Sequence, residues 1–298
     1  MKNLVTIALL LVASLAVAGE RKFEKKFTVR PGGTVIVHTD AGNIAVEGTG
    51  ANEVSILVEL HGAERDIQKY SIDAFEKEGG VEVHGKAERS SWFHFWDNFD
   101  VDIQFTIRVP HEYAATLNTS GGNIVISKIK GRLDGETSGG DITLADIDGP
   151  VSMETSGGNL HAERIVGNIT METSGGNVKV SDVKGDVDVG TSGGEVHIGM
   201  VEGKIRAESS GGDIVVSMKN ENHGVFAETS GGNIEINVPA TISATVDAST
   251  SGGEVSCDLP ITMSGKFDEQ RLRGNINGGG NTIHASTSGG DVRIRPIP

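Results

Sequence analysis

Glu136, Glu154 and Glu172 stand 18 residues apart, and Glu208 and Glu228 extend the series. Each lies two residues before the serine of a Thr/Ser-Ser-Gly-Gly motif. An Asn, Asp or Glu lies three residues after that serine, as at Asp141 and Asp213. Columns of side-chain oxygen suit a hard cation such as calcium, which gathers oxygen ligands. If the motifs stack, carboxylates about 4.8 Å apart repel by roughly 1 kcal/mol per pair even in water, and a cation would relieve this. Glu136, Glu154, Glu172, Asp141 and Asp213 are therefore the candidate calcium ligands. Against them, uncharged Asn holds four of the nine corner positions, at Asn123, Asn159, Asn177 and Asn233. Asn and Asp also suit corners for backbone reasons, and the calcium-binding nonapeptide pattern is absent. No other metal and no cofactor is expected. His161 and His197 share one outward position, but Lys179 occupies the unit between them.

Two other patterns could carry chemistry. Ser-Gly-Gly could cradle an anion, but a phosphate loop normally opens a helix and is followed by lysine. Here a strand pattern follows each of nine copies, from Ser120 to Ser288. The motif is therefore read as a corner, with the glycine pair supplying left-handed geometry. The stretch SSWFHFWDNFD holds Trp92, Phe93, Phe95, Trp96 and Phe99. Strand alternation cannot bury all five on one face, which makes them candidates for a partner surface facing sugar, protein or a membrane interface. The competing reading is a loop folded over the end of the core.

The elements that position these residues follow from alternation. Five residues before the serines stand Leu133, Val151, Ile169, Val187 and Ile205; after them, Ile142, Leu160, Val178 and Val196 fall four on. Alternate apolar positions are the period of a strand. A third inward position nine residues on (Ile129, Ile147, Ile165, Val183, Val201) precedes a glycine at Gly131, Gly149, Gly167, Gly185 and Gly203. Such a unit buries its apolar face only by stacking. The fold predicted is all-β: a single-stranded parallel β-solenoid of 18-residue coils. It is expected to be right-handed, by the usual sense of parallel crossovers. The column of Thr one residue before each serine is expected to form an inward hydroxyl ladder along the stack.

The chain is divided as a signal peptide over 1–18, an N-terminal β-meander cap over 19–116, the repeats over 117–257, and a C-terminal coil and cap over 258–298. The cap includes AERDIQKYSIDAFEKEG, the one stretch of helical or mixed character. The leader MKNLVTIALLLVASLAVA has a basic start, a short apolar run and a small-residue cleavage site. It predicts export to the periplasm or cell surface, and the mature chain has no transmembrane segment. Net charge is −15, one unit more negative once Lys2 leaves with the leader, which disfavours nucleic acid as a partner. Cys257 is alone, so no internal disulfide forms.

VPHEYAATLNTSGGNIVI (109–126), the run of repeats and RLRGNINGGGNTIHASTSGGDVRI (271–294) resemble the bacterial "putative adhesin" family of β-strand-repeat domains, related to the head domains of autotransporter adhesins. The resemblance implies a secreted or surface-displayed β-solenoid and supplies no catalytic residues. The leading expectation is a non-enzymatic binding or adhesion scaffold with an envelope polysaccharide, peptide or protein as ligand. The alternatives are a structural or sensory envelope component that binds a membrane protein, and a polysaccharide-degrading β-helix enzyme. The enzyme reading suffers because 18-residue coils leave little room for cleft-building loops.

Overall fold

A computed structural model describes residues 19–77, 79–88, 101–219, 221–263 and 268–297. The described residues are all-β, with 13 strands in one sheet and 14 in the other. Each regular coil gives one strand to each sheet. Leu133–Thr137 lies in the larger sheet, the Thr-Ser-Gly-Gly corner follows, and Ile142–Asp148 lies in the smaller. Successive coils pair parallel and in register, so Leu133 faces Val151, which faces Ile169. The inward columns are buried through the regular coils, including Ile142, Leu144 and Ile147 and their counterparts, and in the coil at 244–257 Val255 and Cys257 become half-buried. Apolar stripes too narrow to be buried within one coil form one continuous core between the sheets.

The third inward position needs a local device. Between Leu144 and Ile147 two successive residues face outward, which plain alternation forbids. The second of them takes a left-handed backbone in each regular coil: Lys128, Asp146, Arg164, Asp182 and Met200 have φ of 59°, 58°, 55°, 55° and 55°. This left-handed residue reverses the phase of the strand and returns the next side chain to the core. The Ser-Gly-Gly glycines, by contrast, do not have left-handed φ, so that part of the sequence reading is corrected.

The N-terminal region is only partly a meander. Gly33–Thr39 and Asn43–Thr49 stack parallel on Tyr113–Thr119 and Ile124–Lys130, with Ile44 opposite Ile124. Gly80–Ala87 and Val101–Pro110 form a further parallel layer on them. Outside that layer Glu53–Gly62 pairs antiparallel with Val101–Pro110 and with Glu20–Thr28, and Tyr70–Lys77 pairs antiparallel with Gly80–Ala87. The helical stretch is a single turn, Glu64–Ile67. At the rim, Arg21 Nη1 donates to the Tyr70 carbonyl (2.7 Å) and Lys25 Nζ to the Ala74 carbonyl (2.5 Å). These cations satisfy open backbone acceptors and blunt the edge.

The far end departs from chain order. Thr282–Thr287 and Val292–Pro296, the last coil in sequence, lie between the coil at 225–238 and the coil at 244–257. The end of the stack is instead made by Arg271–Ile276 and Ile261–Met263, which run antiparallel outside Ala244–Thr250. The final coil is thus an inner layer, not the cap.

Candidate functional site

The corner residues are spent on stacking. Thr137, Thr155, Thr173 and Thr191 are buried, and each Oγ1 donates to a glycine carbonyl of the preceding coil at 2.8–2.9 Å. Each also accepts from a glycine amide of its own corner. The hydroxyl column therefore bonds to backbone, not to itself as a ladder, and none of these four threonine hydroxyls is orphaned. The second glycine of each pair has a steric reason. A Cβ on Gly140, Gly158 or Gly176 would stand 1.9–2.0 Å from the carbonyl oxygen of the glycine one coil back.

The Asn/Asp column serves the same end. Asn123 Oδ1 accepts from the Asp141 amide (2.8 Å), Asp141 from Asn159 (2.7 Å), and Asn159 from Asn177 (2.9 Å). Asp213 Oδ1 likewise takes the Asn233 amide at 2.7 Å. A short side chain ending in an acceptor is what such a step requires, which accounts for Asn and Asp alternating freely. Asp141 and Asp213 are thus occupied by backbone donors of the next coil. Glu136, Glu154 and Glu172 form a separate column on the outer face of the larger sheet, in direct register. The structure does not bring the two sets together. Among the described residues no group of three or more His, Cys, Asp or Glu is placed to hold a metal ion. Trp92, Phe93, Phe95, Trp96 and Phe99 lie outside the described residues.

Chemistry that is neither repeated nor consumed gathers further along the same outer face. Four residues before the corner serines, successive coils carry Asp188, Arg206, Phe226, His284 and Asp247, in that spatial order. The Arg206 guanidinium lies over the Phe226 ring, 4.5 Å from its centroid. On the other side the His284 imidazole stacks on the same ring at 5.0 Å and 18°. Cation–π and ring stacking hold the three in line. Carboxylates brace them: Asp188 lies 3.7 Å from Arg206, Glu208 pairs with Arg206, and Glu228 meets His284 Nε2 at 3.3 Å. At the end of the row Arg273 grips Asp247 in a bidentate pair (2.9 and 3.1 Å). The guanidinium holds the Asp247 carboxyl below its ordinary pKa.

A groove of about 640 Å³ runs beside this row, with Lys204, Arg206, His223, Phe226, Asn281 and His284 along it. Its wall exists because one coil is longer: Asp213 and Asn233 are 20 residues apart where the regular coils use 18. The extra residues bring Asn222 to the last coil, where it and Asn281 bond each other's backbone carbonyls (2.5 and 2.8 Å). Sequence reasoning missed this site because its parts are distant in the chain. Phe226 is visible as an outward aromatic in a repeat, but chain order would set Asp247 beside it, not His284.

A family model described as Toastrack DUF4097 matches residues 34–295. No curated protein matches. Similar solved structures include a "putative adhesin" from Bacteroides fragilis, 13% identical, covering 93% of this chain and 97% of that one at a TM-score of 0.46. A "putative adhesin" from Parabacteroides distasonis is 13% identical with the same coverages and a TM-score of 0.45. A "putative lipid binding protein" from the same organism is 14% identical, again at 93% and 97%, with a TM-score of 0.41.

Proposed function

The chain belongs to the Toastrack DUF4097 family, and on that premise we propose that it is a non-enzymatic binding scaffold, exported by its leader and wound as a right-handed solenoid. The observation that carries this reading is the division of labour among side chains. Corner hydroxyls, amides and carboxylates serve the stack, while the groove beside Arg206, Phe226 and His284 presents varied chemistry to solvent. A rigid wall with one heterogeneous groove suits recognition of an envelope polysaccharide, peptide or protein. Its mix of cation, ring edge and amide groups offers contacts of the kind ligand sites use.

The test is saturable binding of the mature chain to a glycan array and a peptide array, repeated with the double variant Arg206→Ser, Phe226→Ala. Loss of one ligand class with an unchanged melting temperature supports the reading. Turnover of a polysaccharide, or ligand binding that survives the double substitution, overturns it. Export is tested apart from this, by fractionating cells that carry the chain with and without residues 1–18.

A further inference from the structure

The last coil in sequence occupies a slot with two walls. Val225, Ala227 and Thr229 face Ile283, Ala285 and Thr287 on one side; Val246, Ala248 and Thr250 face the same three on the other. The polar contacts continue without interruption through the inserted coil. Thr287 donates to the Gly232 carbonyl (2.8 Å) and Thr250 to the Gly290 carbonyl (2.7 Å). The Asp291 amide donates to Asn233 Oδ1 (2.9 Å), and the Glu254 amide to Asp291 Oδ1 (3.0 Å). Nothing in these contacts depends on which chain supplies the inserted coil.

The inserted coil hangs from a hinge. Between Arg271–Ile276 and Thr282–Thr287 the chain reads Asn277-Gly278-Gly279-Gly280-Asn281. Asn277, Gly278 and Gly279 have φ of 48°, 88° and 88°, three left-handed residues in succession. That run turns the chain back over Ala244–Thr250 and into the slot. Glycines reach extended conformations as easily as left-handed ones. Opening the hinge breaks the bonds from Asn277 Nδ2 to the Ala240 and Ile242 carbonyls (3.2 and 2.8 Å), from the Gly279 amide to the Ile276 carbonyl (3.1 Å), from Ser243 Oγ to the Asn277 carbonyl (3.3 Å) and from the Gly280 amide to Thr245 Oγ1 (3.4 Å), all of them confined to the turn itself.

We propose that the slot accepts the terminal coil of a second copy of this chain, giving a coil-exchanged dimer. In the exchanged form every inter-coil contact is kept, and only the hinge conformation and chain concentration separate it from the monomer. The groove beside Phe226 is then completed in trans, with Asn281, Thr282 and His284 supplied by the second copy. This holds whatever the groove binds.

Glu228 and Ser286 face each other across the slot, both on the outer face of the larger sheet. One tagged copy carries Glu228→Cys and a differently tagged copy Ser286→Cys, with Cys257→Ser in both. The two are unfolded together, refolded at high concentration and oxidised. The expected result is a disulfide-linked species of twice the chain mass carrying both tags. A single chain with both cysteines is the control for geometry. An internal disulfide in that control, with the mixture left monomeric, overturns the proposal. If the control does not close, a chain lacking Gly278 to Gly280 decides by light scattering: the shortened hinge cannot turn back, so dimer supports the exchange and monomer alone refutes it.

Discussion

The coils from Leu133 to Ser209 and those from Val225 onward share one set of inward residues and use their outward ones differently. In the first group stack order follows chain order, and the outward column runs Asp134, Ser152, Thr170, Asp188 and Arg206, polar or charged throughout. In the second group chain order breaks, and the same column becomes Phe226, His284 and Asp247. The comparison teaches that repetition here serves the backbone. The corner Thr, the second corner Gly and the Asn or Asp that follows it each answer or abut a main-chain group of a neighbouring coil, so these positions tolerate little change. Freedom to vary lies in outward positions, and distinctive neighbours arise where a distant part of the chain is threaded in.

The largest effect should come from the second corner glycine of a regular coil. In Gly158→Ala the new Cβ would lie 1.9 Å from the Gly140 carbonyl oxygen, and only backbone movement relieves that. A cost on the order of 3 kcal/mol is expected in denaturant unfolding. Gly157→Ala is the paired control, since its Cβ would meet nothing nearer than 3.8 Å; it should stay within about 0.5 kcal/mol. Equal losses at both positions would show that the pair acts through corner flexibility instead.

Next in size is the threonine. Thr173→Val leaves the Gly158 carbonyl and the Gly176 amide without their hydroxyl partner, at 2.9 and 3.2 Å in the native corner. A loss of about 1–3 kcal/mol follows. Thr173→Ser should recover most of it, because Ser209 makes the same two bonds, at 3.0 and 2.9 Å.

Much of the regular stack was legible in the sequence, because its information is local and repeated. Leu133, Val151 and Ile169 announce one inward column, and the unequal spacing to Ile147 and Ile165 announces the bend that the left-handed residues make. The corner bonds were less legible. Asn at a corner is equally compatible with a bond inside its own turn, so a bond to the next coil becomes visible only once the coils are stacked. The order of the last coils was not legible at all. Val246, Ala248 and Thr250 match Ile283, Ala285 and Thr287 so closely that inward chemistry fits either order. The hinge at Asn277 to Gly280 and the longer corner before Gly224 break that tie, and both look like ordinary loops in the sequence. The candidate groove was lost with the order, since His284 meets Phe226 only in the threaded arrangement.

A double-mutant cycle on Phe226→Ala and His284→Ala sharpens this point. Stacked at 5.0 Å, the pair should couple by about 0.5–1 kcal/mol in unfolding free energy. The same cycle on Phe226 and Asp247, which are not adjacent in the threaded order, should give none. The reverse pattern would mean that the coils stack in chain order.

The smallest effect expected is at the Asp247–Arg273 pair, which ties Arg271–Ile276 to the last layer of the stack. Hydrogen bonding from Arg273 depresses the folded-state pKa of Asp247. A depressed carboxyl contributes stability that is complete above its unfolded value, about 3.9. That contribution fades as pH falls through the lower folded value. The wild-type chain should therefore be more stable than Asp247→Asn at pH 6, and the difference should shrink progressively below about pH 4. Because both partners face solvent, raised salt should shrink it too. The hairpin around Arg273 carries the hinge, so loosening it should also speed coil exchange. Measured with the two cysteine-bearing copies, disulfide-linked dimer should form faster at pH 6 for Asp247→Asn than for the wild-type background. No change in that rate would mean that the hairpin stays docked while the coil leaves, and that the hinge alone sets the pace.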